Sequence, residues 1–175
     1  MIEDLRFKNK KHQKGFTLIE MLIYIAIFSV VMGALVTFIQ LISQSRVRSQ
    51  AVLEVNDQGA EISRVITQTL RNSISINIPA TSTSASSLSV RTILASTTPT
   101  TFTVVSGILY KTEGANSPVA LNNSRVVVSN LNFSNLSKFG SFGSVRTSFA
   151  LATVSSSSQP QYNYSVTFYA TGTLK

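Results

Sequence analysis

No cysteine occurs in the 175 residues, and the one histidine, His12, stands near the N-terminus, ahead of a long apolar run. The chain therefore has no disulfide, no thiolate nucleophile and no Cys-ligated metal. Acidic residues are also scarce: seven, against fifteen Lys and Arg, and after Glu61 only Glu113 remains. Calcium normally recruits several carboxylates, so a site built on Glu113 alone has too few ligands. Paired carboxylates for general acid–base chemistry are missing from the same region. A Ser–Lys dyad on Lys111 or Lys138 is the catalytic chemistry left, and no nucleophile motif brackets either lysine. These absences predict a protein that is not an enzyme and uses neither a cofactor nor a metal.

The formal charge of +8 is uneven. Within residues 1–15, Arg6, Lys8, Lys10, Lys11 and Lys14 outweigh Glu3 and Asp4 to give +3. Beyond that segment the cations stand singly, without a dense basic patch interleaved with aromatics, so nucleic-acid binding has little support. Arg125, Lys138 and Arg146 are the residues that would carry binding of DNA or a surface.

Proline is absent from residues 16–72, and residues 21–45 contain no charged side chain. At about 1.5 Å per helical residue those 25 residues reach roughly 37 Å, enough to cross a hydrocarbon core of about 30 Å. Positive charge just ahead of the run places the N-terminus in the cytoplasm and the C-terminal part outside. A secretory signal peptide has its small-residue cleavage site after the apolar core. Here the small residue, Gly15, comes before it.

From residue 46 the pattern turns amphipathic. Glu54, Asp57, Glu61, Arg64, Gln68 and Arg71 form one polar stripe, while Ala51, Val55, Ile62, Val65, Ile66, Thr69 and Leu70 fall largely on the other side. That spacing predicts a helix packing one face on a domain, continuous from Thr17 to about Arg71 and roughly 80 Å long. The expected organisation is a basic leader at 1–15, a membrane-spanning half-helix at 16–45, an amphipathic half-helix at 46–78 and a β-rich outer domain at 79–175. Residues 80–87 read as a loop. Strands are expected at 88–94, 101–105, 108–111, 125–128, 131–133, 144–153 and 162–170, with Ser106-Gly107 turning a hairpin. Val145, Thr147, Phe149 and Leu151 share one strand face, and Tyr162, Tyr164, Val166, Phe168 and Ala170 another. The fold class is therefore α+β, with the amphipathic half-helix covering an antiparallel sheet.

The stretch Lys14-Gly15-Phe16-Thr17-Leu18-Ile19-Glu20-Met21-Leu22 precedes the span. It resembles the cleavage and methylation motif of type IV prepilins and type II secretion pseudopilins. The resemblance implies a pilin-like fold, cleavage by prepilin peptidase between Gly15 and Phe16 with Lys14 and Gly15 as recognition residues, and methylation of the new Phe16 amine. It further implies contact with other pilin or pseudopilin subunits and with an inner-membrane assembly platform. The precursor would sit in membrane lipid as a single-pass protein and later join an extracytoplasmic filament. Independently of the family, a carboxylate beside an apolar span is costly, about 2.5–3.5 kcal/mol at the bilayer centre and less near the interface. Cleavage would supply Glu20 with a partner, the free amine of Phe16, either in the same chain or, as the resemblance implies, on the neighbouring subunit during assembly.

The segments around Leu109-Tyr110-Lys111, 126–133 and Val145-Arg146 resemble J-type pseudopilins and W-type minor pilins, which points to a minor subunit. The competing reading is a signal-anchored envelope protein whose outer domain binds a surface or DNA. Asn122, Asn132, Asn135 and Asn163 each begin an N-x-Ser triplet, a frequent pattern in a chain rich in both residues.

Overall fold

The computed structural model describes residues 15–138, 143–154 and 163–174. Residues 1–14, including Lys14 and most of the leader, lie outside the described part, as does Tyr162. Among the described residues one α-helix, α1 (Leu18–Arg71), is followed by nine strands, with a short 3-10 turn at Ala95–Thr97 before the fourth: β1 (Ser73–Ile78), β2 (Ser84–Ala85), β3 (Leu88–Thr92), β4 (Thr100–Val105), β5 (Ile108–Glu113), β6 (Val119–Ala120), β7 (Val126–Asn135), β8 (Ser144–Thr153) and β9 (Ser165–Thr173). The chain divides into two units, Met1–Ser43 and Gln44–Lys175.

In the first unit α1 presents apolar side chains outward all round, and the most apolar 18-residue window has a mean hydropathy of 2.6 with none of it buried. By length and composition this is a helix able to cross a membrane. Gly33 does not interrupt it, and nothing lies within 4 Å of where its side chain would be.

In the second unit the expected amphipathic face is present. Val55, Ile62, Ile66 and Leu70 are fully buried, whereas Asp57, Glu61, Arg64, Gln68 and Arg71 are exposed. The helix stops at Arg71, where the Asn72 N–H bonds back to the Gln68 and Thr69 carbonyls and the Ser73 hydroxyl donates to the Thr69 carbonyl at 2.6 Å. Residues 73–78, assigned by sequence to the amphipathic half-helix, instead form β1. Their alternation of Ser or Asn with Ile is a period-two pattern, which pairing with β3 uses.

Two antiparallel sheets follow, ordered β1-β3-β4-β5-β6 and β2-β7-β8-β9. Ser106 and Gly107 both have positive φ, 51° and 79°, the two-residue turn that matches strand twist in a tight hairpin. It joins Val105 to Ile108 in register. Two expected strands, 125–128 and 131–133, are one strand, β7, with a register shift between Ser129 and Asn132 and Asn130 at φ 52°. The expected strand at 162–170 lies three residues further on, as β9. Val145, Thr147, Phe149 and Leu151 of β8 are buried, and Val166 and Phe168 of β9 pack against the same core.

That core unites both sheets with the second half of α1: Leu88, Val90, Phe102 and Leu109 from one sheet, and Val128, Phe133, Val145, Phe149 and Leu151 from the other. Asn122, only 6% exposed, ties the sheets together. Its Oδ1 accepts from the Leu109 N–H at 2.7 Å, and its Nδ2 donates to the Val126 carbonyl at 2.6 Å. Asn135, equally enclosed, donates to the Pro79 carbonyl. Both amides are thus spent inside the domain, whatever their N-x-Ser context.

A polar ring holds the helix to the loop before β7. The Asn123 Nδ2 and the Gln58 Nε2 both donate to Glu54 Oε1 at 2.5 Å, and the Asn123 N–H donates to Gln58 Oε1 at 3.1 Å. The Asn123 and Gln58 hydrogen bonds, aided by Arg125, hold the Glu54 carboxyl below its ordinary value of 4.5. A carboxyl depressed in the folded state adds stability above its unfolded pKa and loses it as pH falls through the folded value. Glu54→Gln is therefore expected to lower the urea midpoint at pH 7, with the gap to wild type closing as the buffer is taken below 4.5.

Candidate functional site

Thr17 opens α1. Its carbonyl accepts from the Met21 N–H at 3.2 Å, and its Oγ1 accepts from the Glu20 N–H at 3.3 Å, the geometry of a helix N-cap. Thr17-Leu18-Ile19-Glu20 is a capping-box sequence, a signal of Thr17's role that the cleavage motif had overshadowed. Glu20 lies in the first turn, where the helix dipole favours a carboxylate.

Across residues 15–46 every residue is exposed except Glu20, which is half-buried. Its cover is local: the Tyr24 hydroxyl donates to Glu20 Oε1 at 3.1 Å. The Tyr24 ring in turn meets the Phe16 ring edge-to-face, with centroids 6.4 Å apart and planes at 75°. Phe16, Glu20 and Tyr24 thus form one cluster on the first two turns. Tyr24 was not singled out by sequence, although a donor four residues beyond a carboxylate on a helix faces it.

Gly15 is exposed and nothing lies within 4 Å of a Cβ built there. The fold itself makes no demand for glycine at that position.

Elsewhere among the described residues, Arg125, Lys138 and Arg146 do not form one basic patch. Arg125 precedes β7 and Lys138 follows it, so the ten-residue strand separates them by about 30 Å at ~3.3 Å per residue. The Arg146 guanidinium lies over the Tyr169 ring, 5.4 Å from its centroid. Lys111 and Glu113 form an ion pair at 2.5 Å. Among the described residues no three acidic or histidine side chains converge.

Comparison with known families finds the prokaryotic N-terminal methylation motif at residues 10–36. No curated protein and no solved structure matches the chain at a significant level. The matched segment takes in the Gly15–Phe16 junction, Glu20, Tyr24 and the first part of the apolar helix, and together they fit anchoring in the inner membrane. That motif at the head of a long apolar helix, with antiparallel sheets behind it, gives the chain a pilin-like arrangement and is consistent with the type IV prepilin and pseudopilin family.

Proposed function

We propose that the chain is a minor, non-catalytic subunit of a type IV pilus or type II secretion pseudopilus, cut by prepilin peptidase between Gly15 and Phe16 and assembled into a helical filament. The observation that carries this reading is the methylation motif with Glu20, half-buried, at the head of an otherwise exposed apolar helix. Hydrolysis of the Gly15–Phe16 bond consumes one water and leaves a carboxylate on Gly15 and an amine on Phe16. An α-amine titrates near 7.7–8.0, so at pH 7 it is mostly a cation, and a single N-methyl group preserves its basic nitrogen.

In this reading the precursor lies in the inner membrane with its basic leader in the cytoplasm, and the apolar half-helix later exchanges lipid contacts for those of neighbouring subunits. The assembly platform engages the membrane-held form. The minor-subunit assignment is supported by Leu109-Tyr110-Lys111 lying in β5 and the 126–133 segment in β7, the regions that resemble J-type and W-type subunits. A chain without cysteine also cannot form the C-terminal disulfide often carried by major pilins.

The test is the N-terminus of chain recovered from cells that carry the peptidase. Mass spectrometry is expected to find N-methylated Phe16 as the first residue; recovery of intact Met1 alone would overturn the assignment. Gly15→Leu is expected to leave only uncut precursor, since added bulk enters a peptidase cleft where glycine had none. Because Gly15 touches nothing in the fold, this variant should keep the wild-type thermal midpoint, which separates a recognition defect from misfolding.

A further inference from the structure

We propose that Tyr24 is the positioning residue for Glu20 in the uncut chain: its hydroxyl holds the carboxylate until cleavage frees the Phe16 amine, which then displaces it. The inference rests on the filament-subunit reading above and names a step within it.

The uncut chain has a difficulty that the cut chain does not. Before cleavage the Phe16 nitrogen is an amide, with no charge to offer Glu20. The first-turn carboxylate stands at the edge of an apolar span whose other side chains are exposed to the surroundings, where an unsatisfied charge is expensive. The Thr17 hydroxyl accepts from the Glu20 N–H, and among residues 15–45 there is no cationic side chain. Among the described residues the side-chain donor to Glu20 is the Tyr24 hydroxyl, at 3.1 Å. Helical side chains lean towards the N-terminus, so a tyrosine one turn deeper in the span is aimed back at position 20.

The Phe16–Tyr24 ring contact gives the hand-over its geometry. The residue whose nitrogen is released by cutting already packs against the side chain that occupies the carboxylate. A charged amine is a stronger donor to a carboxylate than a neutral phenol, so once formed it takes the carboxylate, and the Tyr24 hydroxyl is freed.

The experiment uses full-length precursor in phospholipid bilayers, and the chain beginning at Phe16 produced by removal of a fused tag rather than by the peptidase. The 13Cζ resonance of Tyr24, assigned by its loss in Tyr24→Phe, reports whether the hydroxyl is hydrogen-bonded to a carboxylate. In the precursor it is expected at the bonded position and to move on Glu20→Ala; in the chain starting at Phe16 it is expected at the unbonded position. In a membrane-insertion assay Tyr24→Phe, which keeps the ring against Phe16, is expected to lower insertion of the precursor about threefold to tenfold, the range of side-chain hydrogen bonds in membranes. It should have no effect on a Glu20→Ala background.

A Tyr24 resonance indifferent to Glu20→Ala would overturn the proposal, as would one unchanged between the two chain forms. A purely packing role for the ring predicts normal insertion of Tyr24→Phe and is overturning too. Failure of prepilin peptidase to cut the precursor would instead sink the filament reading, and would show as intact precursor while the two resonance positions stayed distinct.

Discussion

Glu20→Ala is expected to be cut between Gly15 and Phe16 at close to the normal rate, yet to enter filaments about tenfold less or worse, since each 1.4 kcal/mol of lost pairing is a factor of ten. Cutting should survive because the bond lies in exposed chain ahead of the helix, and alanine is a good helix residue. The N-cap should survive as well, since it uses the Glu20 main-chain N–H. Assembly is the step that suffers. An ammonium carried into a filament core without its carboxylate is a buried charge left unpaired, the costly half of any ion-pair deletion. Quantifying filament-associated and membrane-associated chain, with mass spectrometry of the N-terminus in both pools, separates the two steps. Wild-type incorporation of this variant would remove the electrostatic role from Glu20.

The second large effect is expected far from that site. Gly59 faces the sheets, and a Cβ built on it would lie 2.1 Å from the Phe168 Cζ and 2.3 Å from its Cε2. The ring has little freedom to retreat, because it is stacked on Phe149 at 5.5 Å, and Phe149 is fully buried. Gly→Ala in a helix ordinarily gains about 1 kcal/mol, whereas forcing an extra carbon into a packed core costs about 1–3 kcal/mol. The clash should win, so Gly59→Ala is expected to lower the thermal midpoint despite its better helix propensity, and Gly59→Leu to lower it by about 10 °C or more. Phe168→Leu combined with Gly59→Ala should be less damaging than the sum of the two single changes, because the pair shares one space. A gain in midpoint for Gly59→Ala alone would show that the helix is not seated as described.

How much of this was legible in the sequence depends on how local each signal is. The polar stripe from Glu54 to Arg71 announced the packed half of α1, because a helix face is written within a few turns. β8 was legible to the residue, since Val145, Thr147, Phe149 and Leu151 alternate without interruption. β1 was lost to the helix before it; its alternation is real, but only the Ser73 and Asn72 hydrogen bonds to the last turn mark where one period gives way to the other. β2 and β6 have two residues each and exist through partners distant in sequence, so no local pattern encodes them. β7 appeared as two strands because the bulge at Asn130 breaks its alternation.

At the candidate site, Gly15, Phe16 and Glu20 stood out because a linear motif carries them. Tyr24 did not: within an apolar run it reads as one more large side chain. Its meaning lies in the four-residue spacing from Glu20 and in the ring contact with Phe16, which only coordinates display.

The glycine contact at position 59 has a counterpart eleven residues along the helix. A Cβ on Gly172 of β9 would lie 2.6 Å from the Leu70 Cδ1, so there the helix supplies the bulk and the sheet the vacancy. The two engagements are opposite in sense and about 16 Å apart along the axis at 1.5 Å per residue. Sliding the helix along the sheet in either direction drives a side chain out of its notch and into a neighbour that has a Cβ. The pair works as two opposed pins, so axial tension on this half of the helix reaches the sheets as shear across the whole shared core instead of peeling them from one end.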